Sequence, residues 1–314
     1  MKKFIGITFL LGMAVIVLNS CNELWKDPSK ENATGHVTVK ITDAPFPADF
    51  VEAALVTIDR VELRKAGSKC PGSPVTAQNG NKGNAKGNAH AYKHSYGDLE
   101  FDCDSGFVTI ATDSVELNLF ELRNGVTEIL ANAELPVGEY DMIRLHVVDA
   151  TIVLDDGTSF PMKVPSGNTS GLKIKLSPSL VVNNSEETEI LVDFDLSRSF
   201  IVKGNAKSKK GIQGFIFKPV IRAVQESQAG LLRGFVYEGD EIPVPGATVS
   251  VILGNDTITS AITSEIGTYK ILGLPAGTYN VVCEKEGYAK QETAGVVITE
   301  RKSTTQNILL VKNP

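Results

Sequence analysis

The fold class of this chain is decided by residues 190–196, Ile-Leu-Val-Asp-Phe-Asp-Leu, in which Ile, Val, Phe and Leu occupy alternate positions. Successive side chains of a β-strand point to opposite faces, so an apolar residue at every second position places one face in a core. The same period recurs at residues 37–41, 56–58, 143–147 and 172–176. The sequence therefore predicts an all-β protein whose strands each bury one face.

Three local signals interrupt this strand pattern. Asp155-Asp156-Gly157 lies between two apolar runs and predicts a hairpin turn, since glycine reaches the positive φ that such turns require. Residues 126–135 are the one segment predicted to be helical. Residues 225–230, Gln-Glu-Ser-Gln-Ala-Gly, have no apolar periodicity, so we expect them to link two β-rich domains.

Length and charge limit the classes of protein to which the chain belongs. Its 314 residues, 42% hydrophobic and 7% aromatic, are typical of a globular protein with two domains. Lysine and arginine number 31 against 37 acidic residues, which gives a formal net charge of -6. A nucleic-acid-binding domain carries a broad basic surface, so no nucleic-acid partner is expected. Any cationic binding site must be local.

The first twenty residues have the organisation of an export signal. Lys2 and Lys3 precede an uncharged apolar run over residues 4–18, which is shorter than the ~20 residues needed to span a bilayer. The run ends in Leu18-Asn19-Ser20-Cys21, which resembles the lipobox of bacterial lipoproteins. That resemblance implies cleavage before Cys21 and attachment of lipid to its thiol. A conventional leader followed by a chance cysteine is the alternative.

A lipid on Cys21 would make the membrane a partner and would place the protein in the envelope of a diderm bacterium. We expect an outer-membrane lipoprotein that faces the surface or the periplasm. Residues 1–20 would be the signal peptide, and the polar residues 21–33 a flexible tether. The folded part would then comprise a β-rich domain over residues 34–224, with an insertion at 66–104, the linker at 225–230 and a second domain at 231–314.

Three further cysteines follow Cys21. Cys70 and Cys103 bracket the insertion, and in an exported chain this arrangement predicts a disulfide between them. Cys283 stands alone in the apolar run Val281-Val282-Cys283, where a small buried hydrophobe is the favoured interpretation. The spacing of the cysteines and histidines matches no metal-binding motif, and no cofactor is expected.

The second domain resembles the carboxypeptidase regulatory-like domain, a small transthyretin-like β-sandwich. The resemblance covers residues 231–311 and rests on Gly234-Phe235-Val236, Pro245-Gly246-Ala247, Gly267-Thr268-Tyr269, Leu274-Pro275-Ala276-Gly277-Thr278-Tyr279 and Gly287-Tyr288. It implies a non-catalytic accessory module that is grouped by fold with carbohydrate-binding domains. Fold analogy alone does not establish sugar binding.

The first domain resembles the domain of unknown function 4382 family of bacterial surface lipoproteins. The resemblance rests on Thr42-Asp43-Ala44-Pro45, Val115-Glu116-Leu117-Asn118-Leu119, Leu135-Pro136-Val137-Gly138-Glu139-Tyr140, Ser170-Gly171-Leu172 and Phe217-Lys218-Pro219. It implies a β-rich fold, hence two β-sandwich domains in all, and brings no catalytic residues. Leu-Pro-x-Gly-x-Tyr occurs in both domains, and we interpret it as one turn structure used twice.

No catalytic motif is present in the sequence, and no enzyme activity is expected. Asp193 and Asp195 share one strand face, where two carboxylates can act as acid and base or hold calcium. Solvation at a strand edge or pairing with Arg198 is the favoured interpretation. A glycan-active enzyme would need a cleft in which Asp43, Asp193 and Asp195 converge.

Two loops concentrate positive charge on this acidic chain. Both contain Lys-Gly-Asn-Ala-Lys, at residues 82–86 and 203–207, and neither the stretch 66–97 nor 198–211 contains an acidic residue. If the fold brings the loops together, they form an anion-binding patch. Solvated loops without a ligand are the alternative. The predicted glycan- or anion-binding residues are Lys82, Lys86, Tyr92, Lys93, Tyr96, Lys203 and Lys207.

Together these features predict a lipid-anchored, non-catalytic binding or display protein. Its expected partner is a polysaccharide or a neighbouring surface protein. Two alternatives stay open: a structural subunit or adhesin of a surface fibre, and a carboxylate-dependent enzyme acting on glycans.

Overall fold

The computed structural model describes residues 33–44, 50–67, 93–96, 99–102, 105–165, 170–184, 186–204 and 211–314. Nearly all of this part of the chain is β-structure. The strands up to residue 225 are β1 (Thr34–Ala44), β2 (Val51–Lys65), β3 (Lys93–Tyr96), β4 (Leu99–Asp102), β5 (Phe107–Ala111), β6 (Val115–Asn118), β7 (Glu128–Pro136), β8 (Gly138–Leu154), β9 (Ser159–Pro161), β10 (Leu172–Val182), β11 (Glu187–Asp195), β12 (Phe200–Gly204), β13 (Ile212–Phe217) and β14 (Ile221–Gln225).

The remaining strands belong to the second domain, and the helical elements are short. These strands are β15 (Ala229–Glu238), β16 (Ile242–Pro243), β17 (Thr248–Leu253), β18 (Asp256–Ile262), β19 (Thr268–Pro275), β20 (Gly277–Glu284), β21 (Tyr288–Ala289), β22 (Gln291–Ile298), β23 (Ser303–Thr305), β24 (Ile308–Leu309) and β25 (Val311–Lys312). A short helix, α1, covers Leu196–Ser199, and 3-10 turns cover Leu119–Leu122 and Glu226–Gln228. In the part of the chain that the structure describes, no helix is long and apolar enough to cross a membrane.

The first domain is a sandwich of two sheets. Sheet 1 has the order β14-β11-β1-β7, with β1 parallel to β11 and antiparallel to β7. Sheet 2 has the order β10-β8-β2-β5-β4-β3, and β6 and β9 add to β2 and β8. Apolar side chains from both sheets meet in one buried cluster. Ile190, Val192 and Phe194 are each 0% exposed in it, which confirms the two-residue period of the deciding stretch.

The second domain is a smaller sandwich with its own core. Sheet 3 is built on β15, which pairs with β16 and β19 and, in parallel, with β23 and β24. Sheet 4 has the order β18-β17-β20-β22. Leu232 and Tyr269 of sheet 3 pack with Val249 and Val281 of sheet 4 in a cluster separate from that of the first domain. The predicted fold class of two β-sandwich domains is therefore confirmed.

The repeated Leu-Pro-x-Gly-x-Tyr motif makes the same corner in each sandwich. Tyr140 Oη donates to the carbonyl oxygen of Pro136 at 2.9 Å, and Tyr279 Oη donates to that of Pro275 at 2.8 Å. Each motif connects the two sheets of its sandwich, from β7 in sheet 1 to β8 in sheet 2 in one domain and from β19 in sheet 3 to β20 in sheet 4 in the other. A buried phenol needs a partner for its hydroxyl, and the carbonyl four residues earlier supplies it.

The two local predictions in the first domain had opposite outcomes. The hairpin at Asp155-Asp156-Gly157 is confirmed, with Gly157 at φ 82° and its amide donating to the carbonyl of Leu154 at 2.8 Å. The predicted helix at residues 126–135 is wrong, because most of this segment is the edge strand β7. It pairs with β1 over residues 34–41, and this long-range ladder overrides the local helical preference.

The segment expected to be a linker is structured. Residues 225–230 comprise the end of β14, the 3-10 turn and the beginning of β15. Lys40 Nζ holds the turn, at 3.3 Å from Glu226 Oε2, and also contacts Glu189 Oε1 at 2.5 Å. Arg301 Nε donates to the carbonyl of Ser227 at 3.2 Å. The connection is thus held by groups of both domains.

Polar contacts join the two sandwiches directly. Arg222 on β14 donates to the carbonyl oxygens of Leu272 and Gly273 in the second domain. A Cβ added at Gly273 would stand 2.8 Å from Leu191 Cδ2 and 3.1 Å from Val224 Cγ2, so the backbone of β19 lies against sheet 1 at this position. One face of sheet 1 therefore packs on the core of the first domain. Around Gly273 the opposite face packs on the second domain.

Candidate binding surface

Most of the residues predicted to bind a glycan or anion lie outside the described ranges. This applies to Lys82, Lys86, Tyr92 and Lys207, as it does to Cys21 and to the predicted disulfide between Cys70 and Cys103. The described members of the set lie on strands. In β3, Lys93 pairs with Asp102 and Tyr96 with Leu99, and Lys203 is an exposed residue of β12.

The described stems of the two cationic loops lie near opposite ends of β8. The insertion leaves β2 at Lys65, which pairs with Tyr140 at the beginning of β8. The other loop joins β12 to β13, where Phe215 packs edge-on against Phe160 with ring centroids 5.5 Å apart. Phe160 pairs with Ile152, which is 12 residues after Tyr140 on β8, or about 40 Å at ~3.3 Å per residue. A patch combining both loops would need one of them to extend along sheet 2.

Sheet 2 itself carries a group of cations on one face. In register, Arg144 on β8 stands between Glu62 on β2 and Lys173 on β10, and Arg60 stands opposite His146. Because these residues sit at alternate positions of their strands, their side chains share the face that points away from the core. We name the part of this face that surrounds Arg144 the basic face; its charged members are Arg60, Glu62, Arg64, Asp141, Arg144, Lys173 and Lys175. Exposed carboxylates, Glu116, Glu139 and Asp149, lie toward the ends of the same outward face.

A buried ionic cluster lies at the centre of the basic face. Glu62 Oε2 accepts hydrogen bonds from Arg144 Nε and from the ring of His146, the latter at 2.7 Å. The Arg144 guanidinium also lies over the ring of Phe107, 3.8 Å from its centroid. Burial alone would raise the pKa of Glu62, but the hydrogen bonds and charges of Arg144 and His146 outweigh it and lower that pKa. Glu62 is thus held as a carboxylate.

The outer members of the basic face differ in how far they are paired. Arg64 makes a two-pronged ion pair with Asp141, at 2.8 and 2.9 Å, and both side chains are about one-third exposed. Lys173 and Lys175 are exposed and Arg60 is half-buried. These three cations have no ion-pair partner among the residues that the structure describes. They are free to contact an anionic ligand.

Asp193 and Asp195 form structural ion pairs. Asp193 accepts from Arg222 at 2.7 Å and from the hydroxyl of Thr259, in the second domain, at 3.0 Å. Asp195 caps α1 and pairs with Arg198 Nε at 2.6 Å, which confirms the predicted pairing. Solvation at a strand edge is wrong for both, because β11 lies between β14 and β1 and the two side chains are buried.

Asp43 lies near these carboxylates but faces no substrate-sized cavity. Its Oδ1 accepts from the amide of Leu196 at 3.2 Å, and its buried Oδ2 has no hydrogen-bond partner among the described residues. Burial, reinforced by the negative charge of Asp193, raises the pKa of Asp43 well above its ordinary value. The cavity that Asp43 and Asp193 line measures about 10 Å³, room for one water molecule at most. No three ligating side chains in the described residues are placed to hold a metal ion.

Cys283 is a buried residue of β20. It is 0% exposed in the core of the second domain, and burial raises the pKa of its thiol to about 12. At neutral pH it is a thiol, and no thiolate is available for chemistry. The prediction of a small buried hydrophobe is confirmed.

The basic face was missed by sequence reasoning. Its signal was present as alternating cations within strands, Arg60 and Arg64 in β2 and Lys173 and Lys175 in β10. Those pairs look like the ordinary solvated faces of separate strands. Only the sheet order β10-β8-β2 brings them side by side with Arg144.

Comparison with families of known proteins gives two matches. Residues 34–219 match the family described as "Domain of unknown function (DUF4382)", and residues 232–311 match the "Carboxypeptidase regulatory-like domain". The resemblances of the two domains to these families are therefore confirmed. No curated protein matches the chain.

Solved structures give weaker likenesses. A type II cohesin–X-dockerin complex from Acetivibrio cellulolyticus is 26% identical, with a TM-score of 0.23, over 26% of this chain and 58% of that chain. The shaft pilin SpaA from Lactobacillus rhamnosus GG is 10% identical over 90% of this chain and 100% of its own, with a TM-score of 0.24. The minor pilin GBS52 of Streptococcus agalactiae is 12% identical over 88% and 96%, with a TM-score of 0.22. These scores are all below 0.5, so no structural conclusion follows from them.

Proposed function

The chain belongs to the family described as domain of unknown function (DUF4382), and from that premise we propose that it is a non-catalytic binding protein of the bacterial cell envelope. Its proposed ligand is an anionic polymer such as an acidic polysaccharide. The basic face of sheet 2 carries this proposal, because it gathers five cations and two carboxylates on a chain whose net charge is -6.

The arrangement of the basic face supports an extended ligand over a compact one. Neighbouring strands lie ~4.8 Å apart, and alternate residues of one strand ~6.6 Å apart, so the cations form a grid several strands wide. The central guanidinium of Arg144 is fixed by Glu62 and Phe107, whereas Lys173 and Lys175 are exposed beside it. A polymer with repeated charges can contact several of these groups at once, which raises its affinity through multivalency.

The two lysine-rich loops would extend the same surface. Lys82 and Lys86 belong to the insertion, Lys203 to the end of β12 and Lys207 to the loop that follows it, and the stems of these two loops lie near opposite ends of β8. The aromatic rings of Tyr92 and Tyr96 would add faces on which sugars stack. A long polymer lying along sheet 2 would then reach both loops.

The test is titration of the protein with polygalacturonate and with dextran sulfate at 0.15 and 1 M salt. A variant carrying Arg60→Ala, Lys173→Ala and Lys175→Ala should bind about tenfold more weakly or worse at low salt, since three unpaired cations are lost. The matched control carries Lys218→Ala, Arg233→Ala and Lys302→Ala, which removes three exposed cations elsewhere. Binding should also weaken at 1 M salt, where the screening length falls to about 3 Å.

Equal loss in the test and control variants, or binding that is indifferent to salt, would contradict the proposal. A second variant, Lys82/Lys86/Lys203/Lys207→Ala, asks whether the loops belong to the same surface. If they do, it should weaken binding further when combined with the sheet variant.

The proposed lipid anchor has its own test. Metabolic labelling with an alkyne fatty acid should mark the wild type, and Cys21→Ser should abolish the label while the chain accumulates with its leader attached. Equal labelling of both would contradict anchoring through Cys21 and would leave the binding proposal untouched.

A further inference from the structure

A large cleft separates the loops of the two domains at one side of the molecule. Its volume is about 1170 Å³, at the upper end of the range of ligand-binding clefts. The first domain contributes the beginning of β2 and the 3-10 turn Leu119–Leu122 with the residues that follow it. The second domain contributes the turns that precede β17, follow β18 and follow β20. Neither domain alone forms this cleft.

The walls of the cleft are acidic, and the cations among them are already engaged. Lys285 Nζ donates to the carbonyl of Pro245, and Lys290 pairs with Glu284 at 3.4 Å. Arg123 lies over the ring of Phe120, 4.9 Å from its centroid. Of the residues that the structure describes, five carboxylates line the cleft, against these three cations. The five are Glu52, Glu121, Glu265, Glu284 and Glu286.

The carboxylates are dispersed over separate elements of the two walls. Glu52 belongs to β2, Glu265 follows β18 and Glu286 follows β20. No three ligating groups in the described ranges converge on one point, so the geometry suits several spaced positive charges better than one metal ion. Asn124 also belongs to the wall, and its buried Oδ1 makes no hydrogen bond to any other residue that the structure describes.

The cleft is held open by contacts between the domains. Arg198 Nη1 and Nη2 donate to the carbonyls of Thr257 and Ile258 at 2.7 and 3.0 Å, and Thr259 donates to Asp193. Because these bonds fix the orientation of the walls before any ligand arrives, less ordering is needed on binding.

We propose that this cleft binds a lysine-rich peptide segment of a partner protein, with ammonium groups facing the spaced glutamates of both domains. This site is separate from the basic face and goes beyond the function proposed above. A protein of this design would hold an anionic polymer on one surface and a cationic protein segment on another.

The test uses fluorescence anisotropy of a labelled octalysine peptide with the full chain in detergent. The wild type should bind octalysine and should not bind an uncharged peptide of the same length, octaserine, which has no ammonium groups to face the glutamates. A variant carrying Glu52→Gln, Glu265→Gln and Glu286→Gln should bind about tenfold more weakly, because it removes three exposed carboxylates from both walls. The control carries Asp240→Asn, Asp256→Asn and Glu300→Gln, which has the same change in net charge outside the cleft.

Absence of octalysine binding by the wild type, or equal weakening in the cleft and control variants, would overturn the proposal. Dextran sulfate binding is measured on the same samples. It should be at least as strong in the cleft variant, so failure of the cleft and failure of the basic face give different results.

Discussion

Glu62 on the basic face and Asp43 at the domain interface are both buried carboxylates, yet their pKa values shift in opposite directions. Glu62 is 4% exposed and Asp43 is 6% exposed. The pKa of Glu62 is lowered, although burial opposes this, because Arg144 and His146 donate to it. The pKa of Asp43 is raised by burial and by the neighbouring Asp193. Similar solvent exposure therefore does not fix the direction of a pKa shift, because contact with Arg144 and His146 outweighs burial at Glu62, whereas burial dominates at Asp43.

The two sites therefore stabilise different ionisation states: the site of Glu62 stabilises the carboxylate, and the site of Asp43 stabilises the neutral acid. The Glu62 cluster keeps an ionised carboxylate so that Arg144 stays fixed on the basic face. The interface of Asp43 instead brings carboxylates together beside the second domain and neutralises Asp193 and Asp195 with Arg222 and Arg198. Of these three carboxylates, Asp43 is the one without a hydrogen-bonded cation among the described residues.

The largest effect is expected from Arg144→Met. It leaves Glu62 buried with His146 and the hydroxyl of Thr109 as partners but without its arginine, and breaking a buried pair in this way costs about 3–5 kcal/mol of unfolding free energy. Adding Glu62→Gln should recover most of that loss. Arg64→Met, which breaks a half-exposed pair, should cost about 1 kcal/mol or less. Urea denaturation of the variants measures all three, and a loss at Arg144 no larger than at Arg64 would contradict the buried-cluster account.

The next effect is expected from Arg222→Met at the domain interface. This change strips Asp193 of its cation and two carbonyls of their donor, so we expect a loss of about 2–4 kcal/mol. Arg233→Met removes an exposed arginine of the second domain and is the control. If the interface couples the domains, the Arg222 variant should also be cleaved faster by protease near residues 225–230.

Unchanged cleavage in the Arg222 variant, with two separate transitions already visible in the wild type, would show that each sandwich unfolds by itself. That is the behaviour expected from the sequence, where residues 225–230 have little to bury.

A smaller, pH-dependent effect is expected from Asp43→Asn. Because the pKa of Asp43 is raised in the folded state, its favourable contribution is present at pH values below its unfolded pKa and is lost as pH rises through the folded pKa. Relative to the wild type, the asparagine variant should thus gain stability as pH increases across this window. A single group changes the difference by at most about 1.4 kcal/mol per pH unit. A pH-independent difference would contradict a raised pKa at Asp43.

The smallest effect is expected from removing the corner hydroxyls. Tyr140→Phe and Tyr279→Phe each delete one hydrogen bond to a proline carbonyl, and each should cost about 1 kcal/mol. Thermal unfolding of the two variants measures these losses. If the motif stabilises both sandwiches in the same way, the two losses of unfolding free energy should agree to within a few tenths of a kcal/mol. A loss confined to one domain would show that the shared sequence has different roles.

Structure that depends on the local alternation of apolar and polar residues could be predicted from the sequence. Structure that depends on pairing between strands far apart in the chain could not. Residues 190–196 predicted a half-buried strand, and the corner motif predicted a shared turn. Residues 126–135 were misassigned because their partner, β1, lies about 90 residues earlier and no local pattern reveals that pairing. The hydrogen bonds from Arg222 to the Gly273 region were equally hidden, because the acceptors are backbone carbonyls.

The candidate sites were hard to predict from the sequence for the same reason. Concentrated lysines in a loop can be counted in the sequence, but a surface assembled from three strands requires the order β10-β8-β2. Predicting the cleft would also require the relative placement of the two domains, because each domain contributes one wall. No pattern within a single strand encodes that placement.

The central position of β1 in sheet 1 has a consequence for the order of folding. β1 is the first described strand to be synthesised, yet its two neighbours, β7 and β11, begin at residues 128 and 187. Pairing of such distant segments is slow, because a long loop must close before any contact forms. Until then both edges of β1 present unpaired amides and carbonyls, which are templates for aggregation. The earliest strand of the folded domain is therefore the one that most needs a chaperone while the rest of the chain is made.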